Sequence, residues 1–319
     1  METYEKRNDV HIKAISDSNH GLLLRRAVEW NVHETYPDYQ FLLKDNAIDV
    51  IDVMTPHFMH AQCVCDALAA GKTVICEKPL VTTAGDLAQI VKAVKKTKKQ
   101  VYVKQYLRFS QAYQKAKVLL SKNTIGKPYY ISCMFTSHSV HDYQNPNTWK
   151  GNMHEAGGGI FMDVGVHILD LLQSIFGTPV SAYAQTKKIS TTLTQKGEDL
   201  ATSIIEFPDG LLANISCSEN DTGYKFRWEV RVYGTEGVMN IIDSGKQEKT
   251  LQVIKNNSVT YEFTEHNWWK EANIRAIDDI VTRIKNSINP LVSMPEINTI
   301  LKTILASYTS TKLHKKIII

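Results

Sequence analysis

Short β-rich runs alternate with amphipathic helical segments over the first hundred residues, and no other feature of the sequence constrains the fold as strongly. Residues 10–16, 49–54, 73–76 and 101–104 have the composition of strands, and helical patterns follow at 21–30 and up to Gly71. A further helix is predicted after Thr83, which can cap it together with Asp86. Such alternation is typical of a parallel sheet with helices on both faces. We therefore predict a doubly wound α/β domain over residues 1–106.

The second part of the chain, residues 107–319, follows a different pattern. Helices are expected at 111–121, 160–176, 270–288 and 295–313. Strand-like segments lie at 128–136, 180–187, 199–207, 211–219, 226–233 and 249–255. Runs of strands with the helices set apart from them are typical of α+β domains. We predict a large open, mainly antiparallel sheet with helices against one face.

Composition and charge narrow the choice of partners. The net charge of +4 does not require a nucleic acid or an anionic membrane as partner. We see no apolar run of the length needed to span a bilayer, and the charged N-terminus lacks the apolar core of a signal peptide. The five cysteines are an odd number without the spacing of a disulfide framework, so we expect reduced thiols. These features predict a cytoplasmic protein that binds neither nucleic acid nor membrane.

Asp17 follows the first predicted strand and precedes Ser18 and Asn19. An acidic residue at this place in a dinucleotide-binding sheet accepts hydrogen bonds from the ribose hydroxyls of the adenosine. Its carboxylate favours NAD over NADP, whereas Ser18 and Asn19 would tolerate either. The alternative is an Asx turn or a helix N-cap, which Asp17 taken alone would fit better.

The turn after the strand at 49–54 is a second candidate. Thr55 and Pro56 form this turn, and His57 and His60 then open a helix. A turn at a helix N-terminus suits the approach of a phosphate or a ribose. In the alternative interpretation Pro56 only starts the helix, and each histidine lies on the surface or packs against its neighbours.

Glu77, Lys78 and Pro79 follow the strand at 73–76 directly. In doubly wound sheets, ligands bind at the carboxyl ends of the strands. The ammonium group of Lys78 can donate there to a substrate hydroxyl or carbonyl. A salt bridge between Glu77 and Lys78 in a purely structural turn is the alternative.

The segment 157–167 is the most informative. Three glycines, from Gly157 to Gly159, lead into a helix that carries Asp163 and His167 four residues apart, and therefore on one face. An imidazole oriented by a carboxylate is suited to taking a proton from an alcohol. A buried acid near the helix N-terminus and a core histidine are the alternative. No third ligand at a suitable spacing is evident, so we predict no metal here.

His138, His141 and Asp142 lie in a polar loop that leads to Trp149. A solvated loop is the interpretation we favour. Polar loops with aromatic residues also line sugar sites, and the spacing of His138 and His141 can hold a metal.

Together and in this order, the motifs resemble the Gfo/Idh/MocA (glucose–fructose oxidoreductase/inositol dehydrogenase) family. The resemblance rests on these segments, which span nearly the whole chain: Thr55-Pro56 with His60, Ala69 to Lys72, Glu77-Lys78-Pro79, Arg108-Phe109, Gly126-Lys127-Pro128, the segment from Gly157 to His167, and Gly234 to Gly237. The Glu-Lys-Pro turn followed about ninety residues later by the glycine-rich helix is the most specific combination.

The resemblance implies an N-terminal Rossmann domain and a C-terminal α/β domain whose open sheet supports homodimers or homotetramers. It implies hydride transfer between NAD, with NADP as the alternative, and a sugar, cyclitol or related polyol. His167 would then be the general acid/base, Asp163 its orienting or substrate-binding partner, and Lys78 the donor to the reacting oxygen. The resemblance adds the following contacts: Asp17, Ser18, Thr55, Pro56, His57, His60, Glu77 and Lys78 to the cofactor, and Arg108, Trp149, Asp163 and His167 to the substrate.

The start of the chain departs from the family pattern. Family members open with a strand, a G-x-G-x-x-G turn and a helix, whereas only nine residues precede Val10 here and the first glycine is Gly21. We therefore expect an incomplete first domain without its central strand, so that the runs 10–16 and 49–54 have unpaired backbone groups. Two hypotheses follow, a nicotinamide-dependent dehydrogenase and a non-catalytic sugar-binding or scaffold relative that has lost dinucleotide binding.

Overall fold

The structure is a computed structural model that describes residues 2–5, 7–138, 149–190, 197–223, 225–243, 245 and 247–319. The first domain contains five short strands: β1 (Ala14–Ser16), β2 (Glu34–Tyr36), β3 (Val50–Val53), β4 (Thr73–Cys76) and β5 (Val101–Val103). Its helices are α1 (Glu2–Glu5), α2 (His20–Glu29), α3 (Gln40–Lys44), α4 (His57–Ala69) and α5 (Ala84–Thr97). The predicted caps are confirmed, since Gly71 has a φ of +77° after α4 and Thr83 accepts from the Asp86 amide.

The strands of the first domain form two separate parallel sheets. β1 pairs with β2, and β3, β4 and β5 form a three-stranded sheet in that order. The predicted parallel arrangement is therefore confirmed. Within the described residues no ladder joins β1 to β3, which agrees with the unpaired backbone expected for these two segments. β1 is shorter than the predicted run 10–16, and the three-residue β2 and five-residue α3 were not predicted.

The second domain is built on one sheet of nine strands. Its strands are β6 (Pro128–Ser137), β7 (Ser181–Lys187), β8 (Leu200–Glu206), β9 (Leu212–Ser218), β10 (Phe226–Gly234), β11 (Gly237–Asp243), β12 (Glu248–Lys255), β13 (Ser258–His266) and β14 (Ile317–Ile318). Their order is β13-β12-β11-β10-β6-β9-β8-β7-β14. Among the pairings of the described residues in this sheet, β6–β9 is parallel and the others are antiparallel, so the prediction of a large, mainly antiparallel sheet is confirmed.

Helices cover one face of this sheet. They are α6 (Gln111–Ser121), α7 (Met153–Ala156), α8 (Val166–Phe176), α9 (Trp268–Lys285) and α10 (Met294–Leu313). Alternate strand residues such as Ile131, Cys133 and Ile215 pack against them in the main core. The opposite face exposes larger side chains, including Tyr183 and Ile204. The two-layer arrangement follows from the period-two alternation of the strands.

The C-terminal helices also complete the first domain. Val292, Ile297 and Leu301 belong to the same core as β3, β4 and β5. Ile280 of α9 packs on Ile75 and Tyr102 from the other side of the three-stranded sheet. The sheet that carries Lys78 is therefore held by residues about two hundred positions away in the chain.

One expectation about apolar segments is corrected. Residues Met153–Phe176 are long and apolar enough to cross a membrane by length and composition. However, 67% of the apolar window is buried inside the protein, and α8 contributes four leucine and isoleucine residues to the main core. Most of this segment therefore belongs to the core of the second domain. All five cysteines are free thiols, as expected.

Candidate active site

Lys78 lies at the carboxyl end of β4, where its side chain reaches the second domain. Its Nζ atom donates to Asp163 twice, at 2.7 Å to the carbonyl oxygen and at 2.5 Å to Oδ1. Only about a sixth of each of the two side chains is exposed. The turn itself contains a cis peptide between Lys78 and Pro79. Two residues that are 85 positions apart thus form one ion pair between the domains.

The three glycines before this helix allow a close approach of the backbone. Gly157 has a φ of +77°, which favours glycine. A Cβ atom on Gly158 would lie 2.3 Å from the Tyr308 hydroxyl, and one on Gly159 would lie 1.9 Å from the carbonyl oxygen of Glu198. Side chains at these positions would push the helix away from its neighbours, so the glycines set the position of Asp163.

Glu198 binds the start of the same helix. The sequence analysis did not predict this residue. Its carboxylate accepts from the amides of Gly159 at 2.9 Å and Phe161 at 3.1 Å, and from the Tyr308 hydroxyl at 2.8 Å. An acid at a helix N-terminus satisfies amides that lack intrahelical partners. The only sequence signal is the glycine run itself, which implies a close neighbour without naming it.

Asp163 lies in a π-helical turn, Phe161–Gly165, which precedes α8. The prediction of one continuous α-helix over 160–176 is corrected by this turn. π-turns inside helices are rare and occur frequently at functional sites. Here the turn leaves the carbonyl oxygen of Asp163 in contact with Lys78 Nζ. This contact depends on the tertiary fold, which local periodicity cannot report.

The Asp163 carboxylate faces two lysines. Lys150 Nζ lies 3.4 Å from Oδ2, on the side opposite Lys78. Burial alone would raise the pKa of Asp163, but the charges of Lys78 and Lys150 outweigh burial and hold this pKa well below its ordinary value. Asp163 is therefore ionised across the physiological pH range.

His167 lies one turn further along, in α8, and is only 3% exposed. Its Nδ1 is 3.3 Å from Gln105 Oε1, and its Nε2 is 3.1 Å from the Tyr106 hydroxyl. Burial, reinforced by the charge of Lys78, lowers the pKa of His167 well below its usual value. The imidazole is therefore neutral at neutral pH and able to accept a proton.

A small cavity opens beside the ion pair. Its lining includes Asp163, Lys150, His57 and Trp149. The rings of His57 and Trp149 meet edge to face, 4.4 Å between centroids, and Nδ1 of His57 donates to the carbonyl oxygen of Ala156 at 3.0 Å. Burial lowers the pKa of His57 to about 4. Aromatic and polar groups side by side suit a small polar ligand.

His60 has a different environment from the one predicted. It is fully buried, and its two ring nitrogens face the carbonyl oxygens of Pro79 and Thr55, each at 2.8 Å. Two acceptors favour the charged ring, but burial is the larger effect and lowers the pKa of His60. The ring joins the turns that follow β3 and β4. This placement gives no support to a direct cofactor contact.

Arg108 also lies away from the cavity lining. It donates to both carboxylate oxygens of Asp170, at 2.8 and 2.7 Å, and to Glu296 at 3.0 Å. Asp170 is fully buried. The guanidinium therefore holds α8 and α10 together, and nothing in its surroundings supports the substrate contact predicted for it.

The loop histidines are only partly described. The amide of His138 donates to the carbonyl oxygen of Lys225 at 3.1 Å, whereas His141 and Asp142 lie outside the described residues. Among the residues that are described, no group of three or more potential ligands could hold a metal ion.

The residues expected to contact the dinucleotide suit some portions of the cofactor and not others. Glu77 and Lys78 follow β4, and Thr55 and Pro56 follow the neighbouring strand β3. Polar groups therefore line the sheet edge where a nicotinamide and its ribose bind in doubly wound folds. Asp17 follows β1 and accepts from the Asn19 amide at 2.8 Å, which is the Asx turn of the alternative interpretation.

A carboxylate has four acceptor positions, so the Asx turn leaves Asp17 able to accept from ribose hydroxyls. Ser18, beside it, is exposed. Phosphate recognition is different, because the N-terminus of α2 is capped by the Asn19 side chain and the described part of the chain before it contains no glycine-rich turn. The nicotinamide and ribose portions of the cofactor fit, and the diphosphate has no cradle among these residues.

Comparison with known families decides the relationship. Residues 1–105 match the family described as "Oxidoreductase family, NAD-binding Rossmann fold". Residues 113–240 match the description "GFO/IDH/MocA C-terminal domain". The chain belongs to the Gfo/Idh/MocA oxidoreductase family. The family predicted from the motifs is therefore confirmed, and with it the NAD-binding Rossmann domain.

Several curated members of the Gfo/Idh/MocA family are similar in sequence. The chain is 30% identical to the uncharacterized oxidoreductase YrbE of Bacillus subtilis over 229 residues, which are 71% of this chain and 64% of that protein. It is 24% identical to myo-inositol 2-dehydrogenase of Thermotoga maritima over 300 residues, 92% of this chain and 86% of that protein. The match thus spans somewhat less than two thirds of YrbE.

Solved structures of the family confirm the fold. Levoglucosan dehydrogenase in complex with NADH and levoglucosan superposes with a TM-score of 0.85 at 20% identity, over 96% of this chain and 90% of that one. An oxidoreductase from Agrobacterium radiobacter in complex with NAD+, L-tartaric acid and magnesium superposes with a TM-score of 0.86 at 20% identity, over 100% of this chain and 94% of that one. The predicted two-domain fold is confirmed.

Proposed function

We propose that this protein transfers a hydride between NAD, or NADP, and a sugar, cyclitol or related polyol, with His167 as the general acid/base. The observation that carries the proposal is the ion pair of Lys78 with Asp163, 2.5 Å across the domain boundary, beside a buried neutral His167. It lies at the carboxyl edge of a parallel sheet, where ligands bind in this class of fold. The names of two relatives, myo-inositol 2-dehydrogenase and levoglucosan dehydrogenase, support a polyol substrate.

Each residue of the site has a distinct part in this proposal. An ammonium group has three donors, and Asp163 takes two of those of Lys78, so a third is left for the reacting oxygen. Asp163 stays ionised and holds Lys78 in place. His167 receives the alcohol proton during oxidation and returns it during reduction. Bound NAD would supply the acceptor or donor of the hydride.

The cavity wall fits a polyol. Nδ1 of His57 donates to Ala156, so its Nε2 is an acceptor for a substrate hydroxyl. Trp149, packed on His57, offers a ring edge and face to carbon atoms of a sugar. Both side chains therefore support binding of a small molecule that alternates hydroxyl and C–H groups.

The test is oxidation of a panel of sugars and cyclitols by NAD+ and NADP+, followed by absorbance of the reduced cofactor, together with calorimetric titration of NADH. Activity with at least one polyol is expected, and the variants Lys78→Met, Asp163→Asn and His167→Asn should each lose most of it. Lys95→Met, at the end of α5, is the matched control and should be fully active.

The split of the first domain into two sheets favours a second candidate, a sugar-binding relative without dinucleotide binding. It predicts polyol binding without NADH binding in the same calorimeter. Saturable one-to-one binding of NADH followed by polyol oxidation would exclude it. The absence of both would contradict the dehydrogenase.

We also propose that the uncovered sheet face joins copies of this chain into a homodimer or homotetramer. Tyr129, Tyr183, Ile204 and Leu212 are exposed on this face or at its edges, and apolar patches of this kind often mark interfaces. Light scattering should give two or four times the chain mass, and Ile204→Lys should lower it. A monomeric wild-type protein would rule this assembly out.

A further inference from the structure

Both ring nitrogens of His167 are occupied by side chains from one short segment. Gln105 and Tyr106 follow β5 directly, and their side-chain oxygens lie 3.3 Å from Nδ1 and 3.1 Å from Nε2. The ring is only 3% exposed, and in this arrangement each nitrogen already has a partner. Of the two neighbours, only the Tyr106 hydroxyl can both donate and accept a proton, so it is the group that can pass one on to the ring.

The partners define which nitrogen is basic. An amide oxygen only accepts, so Nδ1 carries the hydrogen and donates to Gln105 Oε1. The lone pair is then on Nε2, where it accepts from the Tyr106 hydroxyl. Gln105 is a positioning residue that fixes this tautomer, and Tyr106 is the group in contact with the basic atom.

Tyr106 also lies near enough to Asp163 and Glu77 for their charges to act on its hydroxyl. Tyr106 lies shortly after the carboxyl end of β5, which pairs with β4, the strand that precedes Lys78. Burial raises the pKa of the phenol well above its ordinary value, and the negative charges of Asp163 and Glu77 add to this. The ring is held between His167 and Trp269, with centroid distances of 4.7 and 4.3 Å. Tyr106 thus has a fixed position against the base, within reach of the charge of Asp163.

We propose that Tyr106 carries the proton between the substrate hydroxyl and Nε2 of His167, an inference that rests on the proposed function. In oxidation, bound NAD would supply the acceptor for the hydride of the substrate carbon, and the substrate hydroxyl gives its proton to the Tyr106 oxygen. The original Tyr106 proton passes at the same time to His167 Nε2. The alcohol becomes a carbonyl, the imidazole becomes an imidazolium, and Tyr106 ends as a neutral phenol.

The concerted exchange explains why a raised pKa of Tyr106 is compatible with this role. A free tyrosinate beside Asp163 and Glu77 would be unfavourable, since like charges repel. In the relay the phenol never holds a full negative charge, because it gains one proton as it loses another. The relay also removes the need for His167 to move towards the cavity.

The first experiment compares Tyr106→Phe with Tyr102→Phe. Tyr102 is a matched control because it lies in β5 and is buried, and its hydroxyl donates to Ile288 at 2.8 Å, away from His167. The relay predicts that Tyr106→Phe lowers kcat by about 100-fold or more, the usual contribution of acid–base catalysis, with NADH affinity unchanged. Full activity of Tyr106→Phe would show that the substrate reaches Nε2 directly, and it would overturn the relay.

A second experiment tests whether the two residues act as one unit. In His167→Asn the terminal acceptor is gone, so adding Tyr106→Phe should lower kcat little further. A fully additive second loss would contradict a relay through His167. Nitrogen-15 NMR of labelled histidine, assigned by comparison with His167→Asn, should show Nδ1 protonated in the wild type and a mixture of tautomers in Gln105→Leu. A wild-type Nε2–H tautomer would overturn the proposal.

The outcomes separate this inference from the proposed function. A wild-type chain that oxidises no polyol overturns both. An active wild type with a fully active His167→Asn variant removes His167, and the relay with it. An active wild type, an impaired His167→Asn and a fully active Tyr106→Phe leave the proposed function standing and overturn the relay alone.

Discussion

The amine of Lys104, at the end of β5, lies 3.0 Å from Oδ2 of Asp52 in β3. The same nitrogen is 3.3 Å from Oε1 of Glu77, which precedes Lys78, and the Tyr4 hydroxyl donates to Asp52 at 2.8 Å. Burial of Lys104 would lower its pKa, but the carboxylates of Asp52 and Glu77 outweigh burial and raise it. One buried cation therefore links the ends of three neighbouring strands beside the candidate active site.

Loss of this cation should destabilise the first domain. Lys104→Met leaves the Asp52 carboxylate buried without its counter-ion, and we expect the free energy of unfolding to fall by about 3 kcal/mol. The measurement is urea denaturation. Lys13→Met is the control, because Lys13 pairs with Glu34 near the surface, and its loss should change stability much less than loss of Lys104. Adding Asp52→Asn to Lys104→Met should restore part of the loss. If the double variant were less stable than Lys104→Met, this electrostatic explanation would fail.

The charge of Lys78 should control the protonation of His167. This charge lowers the pKa of His167, in addition to the larger effect of burial. Lys78→Met removes the charge and leaves Asp163 less compensated, so the pKa of His167 should rise and its protonation should occur at higher pH. NMR titration of the imidazole measures this directly. Lys150 lies beside the same carboxylate, and its charge has a smaller effect on His167. Lys150→Met should therefore raise the pKa of His167 as well, but by less. A downward shift in Lys78→Met would contradict the assignment.

Gly159 should not tolerate a side chain. A Cβ atom there would lie 1.9 Å from the backbone of Glu198, so Gly159→Ala has to displace the start of the helix that carries Asp163. We expect a loss of about 1–3 kcal/mol in stability from overpacking, together with loss of polyol oxidation. Gly85→Ala is the matched control, since its Cβ would lie 3.8 Å from the nearest atom, Thr83 Oγ1, and alanine favours the helix. Equal stabilities of the two variants would argue against the close approach.

Buried neutral histidines should make the protein sensitive to acid. Burial lowers the pKa of His57 to about 4 from an ordinary value of 6.5. Above pH 6.5 the folded and unfolded chains both hold this ring neutral. As the pH falls towards 4, only the unfolded chain takes up the proton, so stability is lost, by about 2 kcal/mol at pH 5 from this residue. His57→Gln should therefore lose less stability than the wild type between pH 7.5 and pH 5 in urea denaturation. His20→Gln, at an exposed position, should follow the wild-type curve, and identical pH dependence in all three proteins would refute this account.

Much of the fold could be predicted from local pattern. Helix α6 lies at 111–121 as predicted, and β8 falls within one residue of its predicted ends, because each shows the periodicity of its class. β11 and β13 were not predicted. β11 leaves a two-residue turn between Gly234 and Gly237, and β13 lies at the sheet edge with a largely exposed pattern. Neither has the clean alternation that marks a half-buried strand.

The site could be predicted less completely than the fold. Lys78, Asp163 and His167 were predicted together because their motifs are local. Glu198 and Tyr106 were not predicted, since their contacts join residues 39 and 61 positions apart. Sequence spacing placed Asp163 and His167 on one α-helical face, whereas the π-turn depends on packing that only the folded chain provides. Arg108 belongs to a family motif, but it forms ion pairs with Asp170 and Glu296. The local sequence does not show these pairs, because the partners are distant in the chain.

The separation of β1 and β2 from the other parallel strands also affects local stability. Two strands alone are marginal in water, and all six residues of this pair are only half-buried. Segments with few buried contacts open locally at a free energy far below that of global unfolding. The part of the chain that contains Asp17 should therefore open at a lower free energy than the rest of the protein. If the adenosine portion of the cofactor binds at Asp17, as predicted, its binding has to order this small sheet, and any change that stabilises the sheet should also strengthen binding.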